Sequence, residues 1–470
     1  MFNIEDILYP VVCKFNECLS NYILLFLLLG VGILYTIKTR FVQIRCFKDG
    51  IKHTFGSVFS KTHDKKNSMS SFQALATSVA SQVGTGNIVG ASGAILVGGP
   101  GAIFWMWVIA FFGMATIYAE ATLAVKTRKI DENGRIKGGP VYYIHKAYKG
   151  KFGNFLANFF ALAAIMGLGF MGCMVQSNSI GYSLQTAFNI PSYLVGILLV
   201  ILCGIIFIGG VQRLASVAEK IVPIMAGLFI IGAIIVLLIR INYLPLTFKM
   251  IFQYAFQPQA ILGGSFFYAI KEAISQGAKR GLFSNEAGMG STPHAHALAH
   301  VKNPHVQGSV AMIGVFIDTF VILTLNALVI ISTMYTPDGI LAHGYFNEAT
   351  EIINKTNLVQ CAFGRVFGEN IGSIFVAICL MFFAFSTILG WNFFGKLNAI
   401  YLFGKKNTKK AVLNYTIIAL FFIMTGTLIS SDFVWELTDM FNNLLVIPNA
   451  IALFALTKEV VKMLKNRQED

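Results

Sequence analysis

Charge is what this chain has least of. Only 12% of its 470 residues are Asp, Glu, Lys or Arg, and acids are scarcer still, 22 against 36 basic residues. A soluble chain of this length would divide into about three domains, each needing a charged surface that this composition does not supply. With 56% apolar residues, length instead counts membrane spans. The net charge of +14 is spread over connectors between apolar runs, so topology explains it and no nucleic-acid partner is expected. Seven cysteines are odd in number, scattered and without paired metal-ligand spacing; they read as small apolar helix residues. His-Glu-x-x-His, Gly-x-Ser-x-Gly and phosphate-binding-loop motifs are all missing, which disfavours a membrane-embedded enzyme. Long soluble domains and filter-like repeats are missing too, which disfavours a channel or sensor. The acidic start, Met1–Pro10, has neither a basic n-region nor a small-residue cleavage site, so no removable signal is expected.

What is present is a set of eleven apolar runs, at 21–37, 72–97, 102–125, 155–187, 193–208, 220–238, 261–297, 306–334, 371–397, 411–429 and 433–456. Most approach or exceed the ~20 residues that a bilayer requires. Between the first two lies a basic connector whose 41–59 part is expected to lie as an amphipathic helix at the membrane surface. With the N-terminus outside, 28 of the 36 basic residues fall in inside segments and five outside, while Lys271, Lys279 and Arg280 lie within a span. That bias predicts N-terminus out and C-terminus in. Setting aside the first run and its connector (1–69), the chain divides as five plus five, 70–241 and 242–460, ahead of a tail at 461–470. The second five begin from the opposite side of the membrane, which is the arithmetic of an inverted repeat.

The first run of each half is interrupted by small and polar residues: SQVGTGNIVG at 81–90, and SQGAKRGLFSNEAGMGS from Ser275. Gly86-x-x-x-Gly90 also suits close helix packing without any break. Paired interruptions at matching positions are, however, the better pointer to a transport site, because peptide groups freed at bilayer depth need protein, water or a ligand to satisfy them. The fold class expected is therefore all-α and membrane-integral, one N-terminal helix plus a five-plus-five inverted-repeat core with two broken helices.

The strings GTGNIVGASGAILVGGPGAIFWMW (84–107), GMATIYAEATLAVKTR (113–128), GGPVYYI (138–144), QGAKRGLFSNEAGMGSTPHAHA (276–297) and FSTILGW (385–391) together resemble the alanine or glycine:cation symporter family of the amino acid-polyamine-cation superfamily. The resemblance implies a secondary transporter that imports alanine or glycine with Na+, or less often H+, in the fold of the neurotransmitter:sodium symporters. A glutamine- or serine-preferring carrier of the same fold is the alternative. After Gly390-Trp391 the family usually carries two tyrosines and an acid; Asn392, Phe393, Phe394, Gly395 and Lys396 stand here instead.

An amino-acid zwitterion must be met at both ends. Thr85, Gly86 and Asn87 are candidates for its carboxylate, through main-chain N–H groups, a half-helix N-terminus and side-chain donors. On the resemblance, the ammonium faces carbonyls of the second broken span, with Gly277, Gln176 and Asn285 in the substrate site; an interhelical hydrogen bond is the other reading of Gln176. Na+ wants oxygen, and the resemblance brings the Ser386 and Thr387 hydroxyls to the carbonyls of Ala80, Val83 and Phe383; backbonding within the helix is the alternative. Trp391, one turn beyond Thr387, is expected to wall the side-chain end together with Phe170. Glu120, Lys271, Glu272, Lys279, Arg280, Glu286 and Asp318 are intramembrane charges, of which Lys279, Arg280 and Glu286 suggest gate or structural ion pairs. His294, His296, His300 and His305 are expected at the interface rather than on zinc. No obligatory protein partner is evident; the partners expected are a small neutral amino acid and the bilayer.

Overall fold

The computed structural model describes residues 4–59, 69–131, 136–208, 210–257, 266–342, 353–404 and 407–466. The first part of the seventh run, 261–265, lies outside them, as do 60–68 of the connector and 467–470 of the tail. Among the described residues, seven helices are long and apolar enough to span alone: Gly101–Thr127, Gly150–Phe188, Arg213–Ile239, Pro304–Tyr335, Glu369–Phe403, Thr408–Gly426 and Ser431–Lys465. The other four of the eleven are the N-terminal helix, the short Ser192–Ile208 and the two broken helices.

The chain opens with α1 (Ile4–Cys18), which continues through a π-helical turn at Leu19–Leu24 into α2 (Leu25–Lys38), starting well before the expected residue 21. The connector forms α3 (Phe47–Phe59), whose Phe47 ring meets Phe316 edge-on at 4.9 Å. It therefore packs on a core helix. The first broken helix is α4 (Ser71–Gln82), then a gap, a π-helical turn at Gly86–Gly90 and α5 (Ala91–Gly98). Its start is fixed by a capping box, with Gln73 N donating to Ser70 Oγ and Ser70 N to Gln73 Oε1, both at 3.0 Å. There follow α6 (Gly101–Thr127), α7 (Pro140–Ala147), α8 (Gly150–Phe188), α9 (Ser192–Ile208), α10 (Gly210–Ile239) and α11 (Leu244–Phe256). The second broken helix is α12 (Phe266–Asn285), an irregular stretch, and the short α13 (Pro293–His296). Then come α14 (Pro304–Tyr335), α15 (Leu358–Phe367), α16 (Glu369–Phe403), α17 (Thr408–Gly426) and α18 (Ser431–Lys465).

Inversion of the halves is visible in how the two broken helices meet. Met69, just before α4, donates its N–H to Leu298 O (3.0 Å), and His300 N donates to Met69 O (2.8 Å), so the entry of the first touches the exit of the second. At the opposite end, a Cβ on Gly98, which closes α5, would lie 3.2 Å from Ala273 Cα near the entry of α12. The two helices traverse the layer in opposite senses. Around them the most enclosed spans are α6, α8 and α14, whereas α9 and α17 turn rows such as Ile197, Leu198, Ile201 and Ile205, or Leu413, Ile417 and Phe421, outward. Apolar rows facing away from a protein core are what lipid as solvent demands.

One expectation changes here. The second break falls in the later part of the interrupted stretch 275–291, not near Gly277: α12 is continuous to Asn285, and a Cβ at Gly277 would sit 2.5 Å from Trp105 Cβ and 2.9 Å from Ala102 O. Gly277 is where α12 passes α6 at close range, a packing role rather than a substrate contact. Of the four histidines expected at the interface rather than on zinc, His300 is exposed. His294, His296 and His305 are buried, held respectively by Ser291 O and Asn398, by Gln307, and by the Tyr118 hydroxyl.

Candidate functional site

The first break spans Val83 to Thr85. Val83 leaves the helix at φ −78°, ψ 88°, and the freed groups find side chains from elsewhere. Gly84 N donates to Asn87 Oδ1 (3.0 Å), and Thr85 N donates to Gln176 Oε1 from α8 (3.2 Å). Asn87 is anchored in turn, its Nδ2 donating to Asp318 Oδ1 on α14 at 2.7 Å, while Asn326 Nδ2 donates to Asn87 O at 2.7 Å. Both polar ends of Asn87 are thus committed to shaping the loop, which leaves Thr85 and Gly86 as the carboxylate candidates. The Thr85 hydroxyl and the Gln176 NH2 group are buried and have no hydrogen-bond partner among the described residues. Such groups are costly inside protein unless something answers them. Gln176, expected on the ammonium side, thus stands beside Thr85, the residue expected to meet the carboxylate.

The second break is built from left-handed backbone: Glu286 at φ 58°, Gly288 at 94° and Gly290 at 76°. Glycine adopts these values freely, and Glu286 is held there by its side chain. Its carboxylate accepts from Trp391 Nε1 (2.6 Å) and from the Ser291 hydroxyl. Gly288 N donates to Glu120 Oε2 (3.2 Å), and Asn449 Nδ2 donates to Gly288 O (2.8 Å), so α6 and α18 clasp the two peptide units that flank one α-carbon. Asn285 accepts Ala287 N on its Oδ1 (3.0 Å) and Gln82 Nε2 on its carbonyl (2.7 Å). That last bond joins the two breaks directly.

Asp318 performs the same joining from α14, and no role for it was legible in the sequence. Besides Asn87 it accepts from Ser284 Oγ (2.9 Å) and Thr319 Oγ1 (2.9 Å), so one buried carboxylate gathers donors from both broken helices. Its partners lie 231 and 34 residues away in the chain, which no local pattern records.

Of the five residues expected to offer oxygen to Na+, four lie in mutual contact. Ser386 Oγ lies 3.2 Å from Ala80 O and 2.9 Å from Phe383 O; Thr387 Oγ1 lies 3.0 Å and 3.1 Å from the same two carbonyls. Val83 opens the adjoining break, and a Cβ on Gly84 would come within 2.3 Å of Thr387 Oγ1. Only glycine lets the unwound chain come this near α16. An all-oxygen donor set without a carboxylate suits a monovalent hard cation.

Trp391 is fully buried beside Phe283 (ring centroids 5.5 Å apart), with Trp435 on the far side of Phe283 at 4.7 Å. Phe170 is elsewhere. Its ring stacks on Phe422 at 4.8 Å and Tyr415 at 5.5 Å in a satellite cluster with α17, because its side of the α8 helix turns toward that neighbour. Over the breaks, Lys279 pairs with Asp439 (3.0 Å) and Glu436 (3.1 Å), and Arg280 pairs with Asp439 (3.1 Å) beneath its stack on Trp435. Arg280 thus pairs with α18, not with Glu272, which accepts from Gln276 (2.8 Å).

The chain matches the sodium:alanine symporter family over residues 5–470. It is 37% identical over 446 residues to the sodium/alanine symporter AgcS of Methanococcus maripaludis, covering 94% of this chain and 93% of that one. Identity to the probable sodium/glutamine symporter GlnT of Bacillus subtilis is 36% over 463 residues, covering 98% and 91%. A crystal structure of MhsT in complex with L-phenylalanine superposes with a TM-score of 0.56 at 14% identity, over 86% of this chain and 98% of that one, a likeness of fold. Full-length agreement in sequence and two broken helices lead to one conclusion: the chain belongs to the sodium:alanine symporter family, and it is a multi-pass amino-acid transporter, not an enzyme.

Proposed function

We propose that this protein imports small neutral amino acids, alanine or glycine, together with Na+ by alternating access. The observation that carries this is the pair of unanswered buried donors, the Thr85 hydroxyl and the Gln176 NH2, beside an unwound glycine-flanked main chain. They offer two hydrogen bonds to an incoming carboxylate. Carbonyls of the Glu286–Thr292 stretch take the ammonium, and Phe283 with Trp391 limits the side chain to about a methyl group. Na+ enters among Ala80, Val83, Phe383, Ser386 and Thr387. Here the two hydroxyls cease donating to the carbonyls of Ala80 and Phe383 and turn lone pairs to the ion, which fastens α4 to α16 and sets the Gly84 loop for substrate. The bound cation thereby favours the substrate-competent state. The N-terminus lies outside and the C-terminus in the cytoplasm, with 70–241 and 242–460 as the two moving halves.

Uptake of labelled alanine into proteoliposomes, with a sodium gradient, a proton gradient or neither, tests the proposal. Uptake driven by sodium alone supports it; uptake indifferent to both gradients removes the coupling. Because one relative is named a probable glutamine symporter, glutamine and serine belong in a competition series against labelled alanine. Stronger competition by glutamine than by alanine overturns the limit assigned to Phe283 and Trp391.

A further inference from the structure

Where the ends of α6, α14 and α18 come together, far from both breaks, a cavity of about 610 Å³ opens. Four lysines from these three segments line it: Lys126, Lys302, Lys458 and Lys462. None of the four is in an ion pair among the described residues, and the one acid in the lining, Glu459, is already paired with Lys146. Topology explains why basic residues are plentiful at this face. It does not explain why four converge on one hollow. Lys458 and Lys462 stand four apart on one helix face, a like-charge spacing that is itself unfavourable. Asn303 and Pro304 bring the N-terminus of a long helix, α14, to the same wall, which adds a further pull on an anion.

The same face of α18 continues into the membrane through Phe454, four residues before Lys458 and 40% exposed. Along about 12 Å of helix, Phe454, Lys458 and Lys462 therefore present an aromatic ring and then two ammonium groups. That is the order in which an acyl chain and a phosphate are met along a phospholipid. We propose that this cavity is a binding site for the phosphodiester headgroup of an anionic phospholipid, with an acyl chain lying along Phe454. The half-buried Met463 in the lining fits the glycerol end of such a lipid better than a freely diffusing anion.

Native mass spectrometry of the full chain in detergent tests this with phosphatidylglycerol and, separately, phosphatidylcholine. The wild type retains phosphatidylglycerol in preference. The variant Lys302→Gln/Lys458→Gln/Lys462→Gln, whose exposed substitutions leave the core untouched, loses about fivefold in affinity per lysine, on the order of 100-fold in all. A control with equal charge loss at Lys149, Lys151 and Lys220 binds as the wild type does. Phe454→Ser, which keeps every charge, weakens retention of long-chain more than of short-chain phosphatidylglycerol. Triple-variant affinity within about threefold of wild type overturns the site, and so does an equal loss in the control. Displacement of the lipid by millimolar inorganic phosphate would reassign the cavity to a free anion.

Discussion

The two breaks solve the same problem in opposite ways. In the second, the turn itself is engaged from several sides, Glu286 by Trp391 and Ser291 and Gly288 by Glu120 and Asn449, and only the Thr292 hydroxyl at its end is buried without a partner among the described residues. In the first, main-chain groups are satisfied through Asn87 and Gln176, yet Thr85 Oγ1 and Gln176 Nε2 are left without partners. One break is a fixed frame and the other holds spare donors. A carrier needs both, since a site that satisfied itself completely would have nothing to offer a solute, and one with no frame would not hold its geometry.

The largest effect is expected from breaking the frame. Glu286→Ala strands the Trp391 N–H and the Ser291 hydroxyl in a dry interior and leaves a left-handed alanine. Thermal unfolding in detergent should show a loss of about 2–4 kcal/mol; stability within 0.5 kcal/mol, roughly the scatter of a surface change, would mean that the second break is not the rigid one. Next comes the ion cluster shared between α4 and α16. Thr387→Ala removes one of five oxygens and should raise the sodium concentration for half-maximal alanine uptake about tenfold, with amino-acid selectivity unchanged. An unaltered sodium dependence would detach Thr387 from the ion.

The sharpest contrast is Thr85→Val. Because the native hydroxyl is unpartnered, this near-isosteric change should leave folding stability the same or raise it by up to about 1 kcal/mol. Alanine KM at saturating sodium should still rise about fivefold, in keeping with one lost hydrogen bond. A KM that stays put makes the spare donor structural and erases the distinction between the breaks. The smallest effect lies outside both. Asp338, in the loop after α14, is held well below its usual range by the two-pronged Arg240 guanidinium. Its folded value being depressed, the stabilisation is complete above the unfolded value near 3.8 and disappears as pH falls further. Asp338→Asn should therefore cost under about 1 kcal/mol at neutral pH, as screening at an exposed pair implies. That gap in unfolding temperature should close only below about pH 4, and a gap that persists there would point to shape rather than charge.

What the sequence disclosed follows the same division. The first break was legible because three glycines and a Thr, Asn and Gln interrupt an apolar run, a local signature. Ser386 and Thr387 were legible only with the resemblance, since helix hydroxyls alone point equally to backbonding, and the structure in fact has both bonding to Phe383 O. The second break was legible only as a seventeen-residue stretch, 275–291, because the turn within it is made by Glu286, Gly288 and Gly290 through backbone angles that composition does not record. Phe170 failed for a related reason: helical periodicity gives a face but not which neighbour that face meets. Asp318 shows the remaining gap, its role arising entirely from partners distant in the chain.

The pairing of Met69 with Leu298 and His300 has one more implication. A fastening made of peptide groups depends little on which side chains occupy those positions, so that among point substitutions proline, which removes an N–H, is the one that cuts it. To let go, its N–H and C=O groups must find other company, and hydrocarbon provides none. Any parting of the two helices there therefore needs water to take over those groups first.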